Sequence, residues 1–246
     1  MGTIVAGCHA DAHERRAGIL HNRADVGEVE IDEAGHRDQV RDALAALSEH
    51  VIRDAERIKE IRKQCKFLVT IGACATSGGI QALKNWANVD DFIHNVYAHP
   101  QYIQTLKTST PIADHVIVDF ELRGCPINKL QLLDLISSLL RGRKPSVPRY
   151  SVCMECKRRG TVCVAVAQGI ACMGPVTQAG CNAICPAHNR ECFSCYGPKE
   201  QTNLASLATW YANAGVPRGH LVRLMRNFNG YAPEFREASQ TLEETS

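Results

Sequence analysis

Eight of the chain's twelve cysteines fall within 43 residues, Cys153 to Cys195, in the pattern C-x2-C-x6-C-x8-C-x8-C-x3-C-x6-C-x2-C. The segment has few large apolar residues, and about fifty residues is near the lower limit for an independent core. Disulfides, zinc ions or iron–sulfur clusters must therefore hold it together. The compartment bears on that choice. The opening stretch MGTIVAGCHADAHERRAGILHNRAD lacks the basic start and long apolar run of a secretory signal. The residues after Arg15 and Arg16 are too short and polar for an export signal. No apolar run approaches the roughly 18 residues of a membrane span, so the chain reads as cytoplasmic. Clustered cysteines in a reducing compartment bind metal or do redox chemistry, whereas eight paired as disulfides would need one choice among roughly 105 pairings. The net charge of +2, with 45% hydrophobic and 22% charged residues, is that of an ordinary globular protein. It gives no reason to expect nucleic acid or an anionic membrane as partner.

The pattern along the chain predicts an α/β fold. Apolar residues from Val40 through Leu44, Leu47, Val51, Ala55 and Ile58 to Ile61 recur at helical steps, predicting a helix over 36–64. KFLVTIGA, 66–73, reads as a buried parallel strand, with Cys74 directly after it. DHVIVDF, 114–120, reads as a second such strand and leads to Cys125. NKLQLLDLISSLLRG, 128–142, predicts an amphipathic helix with Leu132, Leu133, Ile136, Leu139 and Leu140 inward and Gln131, Asp134 and Ser138 wet. Ligands in such sheets bind beyond the carboxyl ends of the strands. Cys74 and Cys125 are therefore expected to meet at one edge. RGRKPSVPRY, 141–150, reads as a linker, two helical stretches follow the cysteine segment, and EASQTLEETS reads as a frayed tail.

Zinc ribbons also use paired C-x2-C units, so two structural zincs remain open. Two details favour iron–sulfur clusters. Cys185-Pro186 and Cys195-Tyr196-Gly197-Pro198 are similar to the cysteine-plus-proline edges of ferredoxin-type sites, and GTVCVAVAQGIACMGP surrounds its thiols with small and aliphatic residues. Eight thiolates would supply two cubanes.

IGACATSGGIQAL around Cys74, RGCPIN around Cys125 and CMGPVTQAGCNAICP…CFSCYGP together resemble the small subunit of nickel–iron hydrogenases. The nearest likeness is to the delta subunit of the cytoplasmic NAD(P)-linked sulfhydrogenase branch. The first two motifs also resemble the cluster-binding 20 kDa-type subunit of respiratory complex I. The resemblance, over about Ile58 to Pro198, implies a flavodoxin-like domain followed by an irregular cluster-binding domain. It implies a distal 4Fe–4S site at Cys153, Cys156, Cys163 and Cys172, and a medial 4Fe–4S site at Cys181, Cys185, Cys192 and Cys195. Membrane-bound relatives commonly have proline at the position of Cys185 and a three-iron medial cluster, so cysteine there implies a full cubane. Cys74 and Cys125 match two ligands of the proximal cluster. The other two normally come from a C-x2-C after the first strand, but no C-x2-C precedes Cys153 here; Cys8 and Cys65 are the remaining thiols. The first 50 residues do not read as that strand. Either the gene's reading is displaced, with similarity resuming near Arg57, or the proximal cluster is lost; the abrupt onset favours the first.

The resemblance implies electron transfer from a nickel–iron large subunit towards flavin- and NAD(P)-binding and ferredoxin-like iron–sulfur subunits, with no bond-making catalytic side chain in this chain. The alternatives are a complex I-like subunit without hydrogenase activity and a zinc-stabilised interaction module. The expected divisions are a divergent segment 1–56, an α/β domain 57–145, a cluster domain 146–200, and helices with a tail over 201–246. Cys65 reads as a core residue, Cys8 as incidental, and Lys157, Arg158 and Arg159 as a solvated turn. Gly78 and Gly79 read as close packing beside a cluster rather than as a phosphate loop.

Overall fold

In the computed structural model, residues 3–7, 56–103, 105 and 108–244 are described. Three short strands form one sheet in the order β1 (Thr3–Gly7), β2 (Phe67–Ile71), β3 (Phe120–Leu122). Helix α1 is described over 56–64; the rest of the expected helix, 36–55, lies outside the described residues, as does Cys8. Then come α2 (Ala73–Ser77), α3 (Val89–Val96), α4 (Lys129–Leu140), α5 (Val152–Arg158), α6 (Val164–Gln168) and α7 (Ile184–Ala187). Helices α8 (Leu204–Asn213), α9 (Arg218–Met225) and α10 (Pro233–Glu244) close the chain.

The α/β class holds, and β2 and β3 are parallel as expected, with Val69 opposite Phe120 and Ile71 opposite Leu122. The N-terminus differs from expectation in two ways. A strand does form at TIVAG, a run too short to show a period of its own. It also runs antiparallel to β2, with Thr3 opposite Ile71 and Gly7 opposite Phe67. The carboxyl end of β1 therefore lies at the sheet edge opposite Cys74.

The second strand begins later than DHVIVDF suggests. The Asp119 carboxylate accepts from the Leu68 N–H at 2.7 Å and from Arg62, while the Asp119 N–H donates to the Leu68 carbonyl at 3.0 Å. This side-chain bond takes the place of ladder pairing, and regular pairing starts only at Phe120. These bonds, led by the one from Leu68, hold the Asp119 carboxyl below its ordinary pKa.

Helix α4 turns a different face inward than its pattern implies. Leu135 and Ser138 are buried, Leu132 and Leu139 pack against the sheet core of Val69, Ile71 and Leu122, and Leu133, Ile136 and Leu140 are exposed. A sheet this narrow covers only one side of a helix that is apolar around most of its circumference. The expected frayed tail is instead α10. Phe235 and Ser239, four residues apart on one face, are fully buried, and Ala238 and Leu242 join them. Helices α8 to α10 share this core with Ala171, Met173 and Val176, so the C-terminal helices and the cysteine-dense segment are packed as one body. Among the described residues no helix is long and apolar enough to cross a membrane.

Candidate metal centre

Two strand ends bring Cys74 and Cys125 together. After β2 the Gly72 N–H donates to the Leu122 carbonyl at 2.8 Å, and the Ala73 N–H donates to the Gly124 carbonyl at 3.1 Å. These bonds stitch the loop bearing Cys125 to the start of α2, which bears Cys74. The Cys125 thiol is pushed up by burial and then by the neighbouring Cys74. Gly79, at φ +62°, lets the backbone close on this site, because a Cβ there would lie 2.6 Å from Cys74 Sγ. Close packing beside the thiol, not phosphate binding, is thus its geometric role. Asn229 on the C-terminal side is buried; its amide donates to the Ser194 carbonyl at 2.8 Å and its oxygen accepts from Ser77. It ties α2 to the loop of Cys195. Cys65 is buried, as read from its place before β2.

Cys153, Cys156, Cys163 and Cys172 form the next group. Cys153 and Cys156 stand three residues apart on α5, hence on one side of it. Cys163 caps α6, and Cys172 is buried between two apolar cores. Burial pushes the Cys153 thiol to about 11, helped by Cys172, Cys156 and Cys163, so all four lie within electrostatic reach of one another. The Cys192 N–H donates to Cys172 Sγ at 3.2 Å. A Cβ on Gly174 would touch both Cys153 Sγ and Cys172 Sγ, each at 3.4 Å, so these two sulfurs lie against the same point of the backbone. The Tyr211 hydroxyl accepts from the Cys172 N–H at 2.6 Å and donates to the Cys172 carbonyl at 2.7 Å.

Cys181, Cys185, Cys192 and Cys195 complete the set. Burial pushes the Cys195 thiol to about 12, with Cys181, Cys185 and Cys125 adding to it. The Cys192 thiol is raised by near-complete burial, then by Cys172, so it faces both groups. Backbone N–H groups of Ala183 and Ile184 point at Cys181, and that of Ser194 points at Cys192. Ala183 and Ser194 adopt φ values of 49° and 56°, left-handed conformations that are uncommon outside glycine.

The eleven described cysteines are all thiols, with no disulfide among them. Among the described residues no three His, Cys, Asp or Glu side chains close around a point as they would about a single ion. The donor set nonetheless fits a thiolate-bound iron–sulfur group. Six of the eight thiols, Cys153, Cys156, Cys172, Cys181, Cys192 and Cys195, are raised by burial and by neighbouring thiols or carboxylates, and backbone N–H groups are directed at the sulfurs of Cys172, Cys181 and Cys192. Crowding of this kind opposes thiolate formation until a cation offsets it. At the sheet edge, Cys74 and Cys125 make half of a four-thiolate set among the described residues.

Sequence reasoning missed Glu155, Tyr211 and Asn229. Only Glu155 left a sign, by standing inside the C-x2-C of Cys153 and Cys156. The basic turn is more than a solvated face, since Arg158 lies over the Tyr150 ring, 4.7 Å from its centroid, and Arg159 donates to the Asn182 carbonyl at 2.8 Å. Removing the Tyr211 hydroxyl should show how the helical core pins Cys172. Tyr211→Phe should cost about 1–3 kcal/mol by leaving a buried N–H without a partner, read as a lower urea midpoint with an unchanged slope. An unchanged midpoint would contradict it.

The parallel strand pair, with cysteines beyond its carboxyl ends, is thus joined to a segment that carries eight thiols. The chain belongs to the family described as NADH ubiquinone oxidoreductase, 20 Kd subunit, whose pattern matches residues 6–139. It is an oxidoreductase subunit. The match begins well before Arg57, so the similarity does not start where the sequence motifs first become clear. Sulfhydrogenase 2 subunit delta of Pyrococcus furiosus is 31% identical over 192 residues, covering 78% of this chain and 80% of its own. A vhu subunit of the F420-non-reducing hydrogenase of Methanococcus voltae is 30% identical over 248 residues, 85% of each chain. The iron-sulfur subunit of the F420-non-reducing hydrogenase of Archaeoglobus profundus is 25% identical over 194 residues, 57% of this chain and 59% of its own.

Proposed function

We propose that this chain is the electron-transfer small subunit of a nickel–iron hydrogenase and holds two 4Fe–4S clusters. Cys153, Cys156, Cys163 and Cys172 would hold the distal cluster, and Cys181, Cys185, Cys192 and Cys195 the medial one. The observation that carries the reading is the packing of the thiols: Cys153 and Cys156 share one side of α5, Cys153 Sγ and Cys172 Sγ both lie against Gly174, and the Cys192 N–H donates to Cys172 Sγ. The iron-sulfur name of one relative and the hydrogenase names of the others support it. Such clusters supply one-electron chemistry over roughly −700 to +450 mV. The chain's own part is to place the thiolates, exclude water from Cys172 and Cys192, and direct backbone N–H groups at sulfur. Cys192 faces both groups and Cys156 is influenced by Cys181, so the two sites adjoin, as stepwise electron transfer requires.

The sheet domain is read as flavodoxin-like, with an antiparallel edge strand. Its proximal site, Cys74 with Cys125, is incomplete, and β1 leaves the sheet at the far edge. The partners in this reading are the nickel–iron large subunit, which activates H2, and flavin- or NAD(P)-linked electron acceptors. Purified anaerobically, the chain should be brown and bleach with dithionite, and it should co-purify with a nickel-containing large subunit. A colourless chain, or one that assembles with no such subunit, would contradict the proposal.

A further inference from the structure

The two thiol groups are joined by one buried carboxylate. Glu155, on α5 beside Cys156, is 9% exposed. Its Oε1 accepts from the Gly180 N–H at 2.9 Å, and its Oε2 accepts from the Ala183 N–H at 3.1 Å. The same Oε2 lies 3.8 Å from Cys181 Sγ. At the C-cap of α5, directly after its last residue, Arg159 donates to the Asn182 carbonyl at 2.8 Å. Residues 180–183 are thus gripped by one side chain of the helix that carries Cys153 and Cys156 and one of its C-cap.

The grip matters because the loop would not keep its shape unaided. Asn182 and Ala183 have φ values of 58° and 49°, and left-handed backbone costs roughly 1–2 kcal/mol per non-glycine residue. That shape directs the N–H groups of Ala183 and Ile184 at the Cys181 thiol. Gly180 cannot be replaced to stiffen the loop, since a Cβ there would sit 2.5 Å from the Tyr196 ring. The shape therefore depends on the hydrogen bonds from α5. A buried carboxylate is costly unless fully hydrogen-bonded, and both oxygens of this one are used on this single loop.

We propose that Glu155 is a positioning residue for Cys181, locking the medial ligand to the helix of the distal ligands so that the two sites are set by one element. The proposal rests on the reading of these cysteines as cluster ligands. It applies to a residue that ligates nothing itself.

The test compares the full chain with Glu155→Gln and Glu155→Ala, each purified anaerobically, by iron and sulfide content and by redox-monitored electron paramagnetic resonance. Glutamine keeps the size and one acceptor but turns an NH2 towards the second amide. Glu155→Ala should lose the medial signal and about half of the iron. Glu155→Gln should keep both signals, with the medial potential moved positive because a negative charge beside Cys181 is gone. Full iron in Glu155→Ala, or an unmoved medial potential in Glu155→Gln, overturns the proposal and leaves the cluster reading standing. A wild-type chain without iron overturns both.

Discussion

Cys172→Ala should remove about four of eight irons and make the segment from Cys153 to Cys172 protease-sensitive, while the sheet domain stays folded. The buried core around this site consists of Val152, Val164, Cys172, Ala183 and Cys192, two of them thiols. That is too little apolar surface to fix a loop-rich segment, so its order is linked to what the thiols bind. Cys172 also sits between Ala171 and Met173, which belong to the neighbouring helical core. Its loss therefore falls where the two cores meet. Val69, Ile71, Leu122 and Leu135 form a separate core and should be untouched. Limited proteolysis with mass spectrometry reads the cut sites, and iron analysis reads the cluster. Full iron content with intact resistance would show that Cys172 is not a ligand.

Cys185→Pro should convert the medial site from a four-iron to a three-iron cluster without unfolding the chain. Cys185 lies in the first turn of the four-residue helix α7, where proline is tolerated because first-turn N–H groups have no helical partner. The N–H groups directed at Cys181 come from Ala183 and Ile184, which the substitution leaves in place. What is lost is one thiolate. The oxidised variant should show a new three-iron signal in electron paramagnetic resonance and a higher medial potential. An unchanged spectrum would remove Cys185 from the ligand set.

The site was more legible in the sequence than the fold that carries it. Cysteine spacing is a local property, and the expectation that Cys74 and Cys125 lie at the carboxyl edge of β2 and β3 needed only the two strand ends. What pattern could not give was set by contacts distant in sequence. Asp119 displaces the start of β3 because its partner is Leu68, 51 residues away. The inward face of α4 depends on how little of the helix the sheet covers, and its leucines occur on nearly every side. The acidic end of the chain is helical because Phe235 and Ser239 find a buried place among α8 and α9. Gln178, Gly180 and Ala183 take their bonds from Gly197 and Glu155, and nothing in a run of small residues announces that. The antiparallel pairing of β1 carries no sequence signature at all.

Counting iron, acid-labile sulfide and zinc together on the anaerobically purified full chain tests the account most directly. Two 4Fe–4S clusters on Cys153 to Cys195, with Cys74 and Cys125 the two thiols at the sheet edge among the described residues, predict about eight irons and about eight sulfides per chain, with no stoichiometric zinc. About two zincs without sulfide would contradict the cluster assignment, and about twelve irons would contradict the incomplete edge site.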